Sequence, residues 1–435
     1  MKVAYIIAGL GFGDEGKGAT TDWLTRFEEA SLVVRYNGGP QNSHTVVLPD
    51  GKHHTFRQFG SGTLIPGVRT HLSEHVLISP VAMMIENSLL KGVGVKDAFN
   101  RLTIAADAVV ITPYQRAANV LAEIVRGVNA YGSCGVGLGD ARKDSIIYPD
   151  SILRAKHLKD KAETMARLKF IEELHEPEIR VAHQLITGRK TAPLDDPVVV
   201  EALEWFDGGP SREHLWDRYR DFPLHTILPD EKWTLRDILL TTDHVVVFEG
   251  SQGVMLDESN TEFFPHVTWT DTTFRNALDL IEAATVRRSP ETMPKIVKIG
   301  CLRPYATRHG NGPLPREDAS LTKHMQETTQ RTEHNKTNRF QGSLRYGFLD
   351  LVQVKKAIAY IGGVHYISMS CMDHLFDAHG IHFYDADGHV QTVPHACNVG
   401  MHTAFVDFMQ KEIGAPITVL GYGPSYTSRF LRMTS

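Results

Sequence analysis

Apolar positions along the chain fall into two rhythms. Short, mostly apolar runs at Leu32–Tyr36, Val245–Glu249, Lys295–Ile299, Tyr366–Met369 and Ile417–Leu420 read as buried-strand candidates. The opening VAYIIAGLGFGDEGKG adds a sixth apolar strand, a glycine-rich turn, and a helical pattern through Trp23, Leu24 and Phe27. Between the runs lie longer stretches with helical spacing, Gln115–Val128, Leu153–His175, Thr272–Ala284 and Leu351–Ile361. Strands alternating with longer helices predict an α/β fold, a large mostly parallel central sheet with helices on both faces. The region from about 150 to 240 is the most charged and helical, and predicts a helical insertion packed on the sheet. DGGP at Asp207–Pro210 and the stretch Arg287–Pro294 read as surface turns, and Thr307–Gly342 reads as a long polar loop of functional kind. Neither a repeat nor a composition break divides residues 1–435, so one domain with elaborations is expected.

Composition narrows the function classes. The 46 basic and 51 acidic residues give a formal charge of −5 with no basic stripe, which speaks against a nucleic-acid partner. No apolar run reaches the length a membrane helix needs, and the glycine-broken stretch Val3–Phe12 lacks the features of a signal peptide. Cys134, Cys301, Cys371 and Cys397 are far apart, as expected for reduced thiols in a cytoplasmic protein. The histidines include the pair His71 and His75 but no zinc-ligand spacing.

The strongest local signal is Gly11-Phe-Gly-Asp-Glu-Gly16-Lys17-Gly18, a G-x4-G-K phosphate loop between a strand and a helix. Its backbone N–H groups and the helix start, Gly13, Gly16, Lys17, Gly18, Ala19 and Thr20, are the candidate phosphate binders, with Lys17 adding a point charge. Gly18 stands where a Walker A loop has the Ser or Thr that holds Mg²⁺. Asp14 lies inside the loop, where a carboxylate repels phosphate unless it holds a metal ion or accepts a proton from the substrate.

Two further polar segments follow apolar runs. Gly38-Gly-Pro-Gln41-Asn42-Ser43-His44 offers amides and a hydroxyl for a heterocycle's edge and an imidazole for a developing phosphate charge, although a structural turn histidine suits the segment equally well. Glu249-Gly-Ser-Gln252-Gly places an amide between glycines at a strand's carboxyl end, where open α/β sheets bind ligands. Val267-Thr268-Trp-Thr-Asp-Thr-Thr273 is expected to open a helix with hydroxyls suited to a second phosphate.

GFGDEGKG, GGPQNSH, EGSQG with PHVTWTDTT, and RHGNGPLPRE together resemble the adenylosuccinate synthetases in order and spacing, from residue 3 to about 424. The resemblance implies an enzyme, a ligase in which a nucleoside triphosphate phosphorylates a purine 6-oxo group and L-aspartate then displaces phosphate at C6. It implies that Asp14 takes the N1 proton and, with Ser43, holds Mg²⁺, while His44 and Lys17 stabilise phosphoryl transfer. Asp14, Gln41, Asn42, Gln252, Ser133, Cys134 and Thr268 would bind the purine monophosphate, Gln252 with a share in catalysis. Thr337, Arg339 and Arg345 would bind aspartate, and Asp373 and Gly423 the donor base. A homodimer is also implied.

Several positions depart from the family pattern. Ser370-Cys371-Met-Asp373 has a cysteine for the lysine that covers a guanine donor, Pro40-Gln41 replaces two asparagines, and Gly132-Ser-Cys-Gly-Val-Gly-Leu-Gly139 lacks the arginine of the monophosphate loop. These changes resemble the phage 2-aminoadenylosuccinate synthetases, which act on dGMP with ATP or dATP in the host cytoplasm to supply 2-aminoadenine. Asp14 goes the other way, since many members of that branch carry serine there. The alternatives are an ordinary adenylosuccinate synthetase using IMP and GTP, a P-loop hydrolase or switch without ligase activity, and a catalytically inactive binding protein.

Overall fold

The computed structural model describes residues 3–188, 195–206, 209–228, 245–285, 293–328, 337–338, 340–376, 381–385, 387–393 and 399–432. Its centre is a nine-stranded sheet in the order 429–431, 417–421, 366–369, 295–302, 3–9, 246–253, 32–35, 69–72, 102–104. Every neighbouring pair is parallel except at one edge, where Arg429–Leu431 runs antiparallel to Ile417–Gly421.

Period-two alternation assigns each strand's side chains to two layers. Ile6, Val34 and Phe248 face one side, where they pack with Leu280 and Ile281 of the helix Arg275–Thr285 and with Phe405 and Met409 of Val399–Ile413. Ile7, Val33 and Val247 face the other, against Trp23 and Leu24 of Lys17–Phe27. All six strand residues are fully buried, and each such side chain contributes roughly 1.5–3 kcal/mol relative to exposure. Helices on both faces of a mostly parallel sheet are the architecture expected.

The differences from expectation have local causes. The strand predicted at Val245–Glu249 runs from Val246 to Gly253, so Gln252 belongs to its end rather than to a loop beyond it. Pairing resumes there after a bulge, with Gly9 opposite Gly253. The helix predicted from Thr272 starts at Arg275 because the Asp271 carboxylate takes the N–H and hydroxyl of Thr273 into a local turn. The helix predicted over Leu153–His175 is a 3-10 turn at Ala155–Lys159 followed by Lys161–Thr187. Asp160 caps it, and it continues through Pro177 because Ile179 and Ile186 bury further along.

That insertion packs less on the sheet than on the helix Pro113–Arg126, through Ile179, Ile186 and Val199 against Ala117, Val120 and Leu121. The polar segment Thr307–Gly342 contains a helix, Ala319–Thr328. Of the two predicted turns, 207–208 and 287–292 lie outside the described residues. Among the described residues no helix is long and apolar enough to cross a membrane.

Candidate active site

The carboxyl ends of the central strands deliver the glycine loop, the segment 37–44, Gln252 and the 370–374 turn to one side of the sheet, where ligands of such sheets sit. Gly16 adopts φ 83° at the start of the first helix, and a Cβ there would collide with the Ser370 hydroxyl. The buried Glu15 closes the loop on itself. Its Oε1 accepts the Gly13 N–H at 2.7 Å, and Lys17 Nζ lies 3.2 Å from its Oε2 while donating to the Gly13 carbonyl at 2.6 Å. Gly18 gives space to a neighbour, since a Cβ would stand 2.6 Å from His44 Cβ. That close approach accounts for the missing Walker hydroxyl.

His44 sits in a buried polar chain. Its Nδ1 is 2.6 Å from Glu249 Oε1, and Glu249 also accepts the Ser61 N–H at 2.9 Å and the Ser61 hydroxyl. Arg35 Nε stands 4.0 Å from the same carboxylate, its other nitrogens donating to the Phe59 carbonyl and Ser251 Oγ. Burial opposes ionisation of Glu249, but Arg35 and the hydrogen bonds from His44 and Ser61 outweigh it and hold the carboxyl at about 2. Burial pulls the His44 imidazole down to about 4, against the raising effect of Glu249. A neutral imidazole therefore donates its Nδ1 proton to a fixed carboxylate. Glu249 and Ser61 were missed by sequence reasoning, and Glu249 was visible only as the residue opening EGSQG.

Two clefts meet at this point. The larger, of about 470 Å³, is lined by all seven residues expected at the purine monophosphate: Asp14, Gln41, Asn42, Ser133, Cys134, Gln252 and Thr268. Gln252, at φ 53°, donates from Nε2 to Asn42 Oδ1 at 3.1 Å. Its Oε1 and both amide atoms of Gln41 are buried without a hydrogen-bond partner, as groups that await a ligand are. The Glu123 carboxylate anchors the loop beside them, accepting the N–H groups of Gly132 at 2.8 Å and Ser133 at 3.1 Å. Burial pushes the Cys134 thiol up to about 11, which rules against a thiolate nucleophile. Of the four threonines in 267–273 only Thr268 reaches the cleft, because Thr272 and Thr273 are bonded to Asp257 and Asp271 and Thr270 faces the Gly38 N–H.

The smaller cleft, of about 130 Å³, is lined by Gly13, Gly16, Lys17, Gly18 and Ala19 of the phosphate loop and by Cys371, Asp373 and Gly423. Thr20 stands behind it, 3.0 Å from Ser368 Oγ. Cys371 has φ 60°, and Asp373 Oδ1 is buried without a hydrogen-bond partner. Gly13, Asp14, Ser43 and His44 line both clefts and form the wall between them. Asp14 is the carboxylate of that wall, a donor set suited to a Mg²⁺ ion completed by phosphate oxygens and water rather than an all-protein cage. The acidic cluster Asp385, Asp387 and His389 lines neither cleft.

The expected aspartate residues are placed differently. Thr337 is exposed in a short strand paired with Gly342–Ser343, and Arg339 lies outside the described residues. Arg345 spends its guanidinium on Glu317 at 2.6 Å and on the carbonyls of Gly310 and Gly312, holding the loop that borders the larger cleft. Arg126, Lys143 and Arg308 are the cations lining that cleft, and Arg308 is the buried one. It is 2% exposed, bonded to the carbonyls of Pro313 and His266, and stacked over Phe12, with Nε left without a hydrogen-bond partner. Burial, with a smaller effect of Arg345, pulls it down to about 10, still a cation at neutral pH. RHGNGPLPRE held this residue in view without marking its role.

Comparison with known proteins gives a consistent answer. The family model described as adenylosuccinate synthetase matches residues 6–403. The adenylosuccinate synthetase of Clostridium beijerinckii is 30% identical over 363 residues, covering 82% of this chain and 75% of that one. That of Saccharopolyspora erythraea is 29% identical over 470 residues and 99% of both chains. Among solved structures, the fully ligated adenylosuccinate synthetase from Plasmodium falciparum superposes with a TM-score of 0.74 at 17% identity, over 99% of each chain. The succinoaminodeoxyadenylate synthetase of cyanophage S-2L, bound to dGMP and dATP, superposes at 0.63 and 18% identity, over 100% of this chain and 96% of that one.

Proposed function

The chain belongs to the adenylosuccinate synthetase family, C–N bond-forming ligases driven by a nucleoside triphosphate, and from that premise we propose that it joins L-aspartate to C6 of a guanine monophosphate, dGMP foremost, using ATP or dATP. The product is N6-succino-2-amino-2′-deoxyadenylate. The observation that carries this reading is the wall of Asp14 and His44 shared by two clefts. A purine in the larger cleft and a triphosphate in the smaller one would meet across it.

In this reading Asp14 accepts the N1 proton, which makes the 6-oxo oxygen nucleophilic toward the γ-phosphorus. His44, steadied by Glu249, takes up charge developing on the transferred phosphoryl group. Mg²⁺ held at Asp14 and Ser43 would neutralise phosphate charge. The aspartate amine then attacks C6 and phosphate leaves, with Arg308 as the buried cation of the cleft placed for its carboxylates. The open acceptors Gln41 Oε1 and Gln252 Oε1 favour a base rich in N–H donors, and guanine adds a 2-amino group that hypoxanthine lacks. The same fold in the cyanophage enzyme admits dGMP with dATP. Cys371 in place of a guanine-covering lysine favours an adenine donor.

A second reading, IMP with GTP, is favoured by the open Asp373 Oδ1, an acceptor for a guanine donor's N–H groups, and by Asp14 itself. The test is a matrix of IMP, GMP and dGMP against ATP, dATP and GTP, with succinylated product and phosphate measured with and without aspartate. Product from dGMP with ATP or dATP is expected. Product from IMP with GTP alone would replace the first reading by the second, and phosphate release indifferent to aspartate would make the protein a hydrolase.

A further inference from the structure

We propose that Arg429, at the antiparallel edge of the sheet, is a binding residue for the polyphosphate chain of the nucleotide in the smaller cleft. The inference deepens the reading of that cleft as the donor site and rests on it. Arg429 lines the cleft and is 5% exposed. Its guanidinium meets hydroxyls only, with Nη1 3.1 Å from Ser368 Oγ and 3.4 Å from Thr20 Oγ1, and Nη2 3.1 Å from Ser370 Oγ. Among the described residues no carboxylate lies within ion-pair distance of it, whereas the nearby Asp22 is bonded to Arg26. A buried guanidinium without a counter-ion is costly and cannot readily shed its proton, so the fold retains it against a penalty that an anion would lift.

Its position says which anion. Ser370 abuts Gly16, where a side chain would collide with that hydroxyl, and Thr20 lies in the first turn of the helix that the phosphate loop opens. The guanidinium therefore sits one hydroxyl layer behind the loop, at the positive end of a helix with no side-chain cap. Lys17, the cation that the loop motif advertises, is already matched by Glu15 at 3.2 Å. Arg429 has no carboxylate at that distance, Asp22 and Asp373 acting on it only from further away, and with Arg303 it adds positive charge to the cleft beyond the loop lysine. Room is made for it by Gly421, where a Cβ would stand 3.0 Å from Arg429 Cζ.

The experiment uses the full chain, inorganic tripolyphosphate with Mg²⁺ as the probe, and dGMP as a control for the larger cleft. Calorimetric titration of wild type, Arg429→Gln and Arg429→Lys is read beside circular dichroism of each. Arg429→Gln should weaken tripolyphosphate binding about tenfold or more, with dGMP binding within about twofold, because a charge-assisted contact is lost while a polar side chain remains among the hydroxyls. Arg429→Lys should stay within about threefold, since a point charge suffices for phosphate. Unchanged tripolyphosphate affinity in folded Arg429→Gln overturns the proposal. If Arg429→Gln does not fold, Arg429→Lys decides: retained binding supports a charge role, and a loss as deep as tenfold makes Arg429 a scaffold for Ser368 and Ser370. Tripolyphosphate that fails to bind wild type, while dGMP binds, overturns the donor-site reading itself and this inference with it.

Discussion

His44 Nδ1 and Glu249 Oε1 stand 2.6 Å apart behind the wall between the clefts, both residues buried, the imidazole neutral and the carboxylate charged. Such a pair is poised to gain a proton when a polyanion arrives, because the phosphate favours the imidazolium that burial alone disfavours. Triphosphate binding is therefore expected to take up a proton above about pH 4, where the free imidazole is neutral, and to weaken as pH rises from there. Calorimetry in buffers of different ionisation enthalpy measures the uptake. His44→Gln should abolish it and lower kcat by roughly 10²–10³-fold. Uptake that persists in the variant would assign the proton to another group.

Asp14→Asn should cost roughly 10²–10⁴ in turnover, the span of a general base, with an unchanged melting temperature. A variant within about tenfold of wild type would remove Asp14 from proton transfer.

Restoring the Walker residue should harm this protein. Gly18→Ser would drive its Cβ to within 2.6 Å of His44 Cβ and 3.1 Å of Ser61 Oγ, so His44 has to move. Misplacing a reacting group by about an ångström costs roughly 10²-fold, and that loss is expected in kcat/KM. Retained activity would show that His44 can shift without consequence.

The sheet and the two clefts were largely legible in the sequence because each rests on local signals. Short apolar runs such as Leu32–Val34 stand for buried strands, and glycines at fixed offsets mark the loop at 11–18. The supporting residues were not legible, since their meaning depends on partners far away in the chain. Glu249 lies 205 residues from His44, and Arg429 409 from Thr20. Isolated charged residues look the same in sequence whether they cover a surface or sit buried without a partner. Hydroxyl counting misled at 267–273 for the converse reason: three of the four threonines are occupied within the protein, and tertiary contacts set which one faces the cleft.

At the donor cleft, Cys371 already occupies φ 60°, so exchanging it for lysine leaves the backbone cost nearly unchanged. Cys371→Lys is expected to raise the GTP-to-ATP ratio of kcat/KM by about tenfold, through cover for the guanine ring while Asp373 accepts its N–H groups. Initial rates with the two donors decide it. An unchanged ratio would move donor selection away from this turn.

The last expectation concerns pH and stability. The His175 ring is held between Asp144, at 2.8 Å, and Glu178. Burial would lower its pKa, but the two carboxylates outweigh burial and raise it to about 9, against 6.5 for an ordinary imidazole. A folded value above the unfolded one means the stabilisation is full below about pH 6.5 and is lost as pH rises through about 9. Asp144 also accepts from Gln115 Nε2 at 2.7 Å, and Gln115 completes the capping box of the helix Pro113–Arg126. That helix carries Asn119 and Glu123 to the larger cleft, so the charge is tied to the loop at Gly132–Ser133. His175→Gln should lower the melting temperature clearly at about pH 6, and the gap from wild type should close toward about pH 10. In the same variant, affinity for the acceptor monophosphate should fall more than affinity for the triphosphate. A gap in melting temperature that stays constant with pH would reduce His175 to a packing role and cut this link to the cleft.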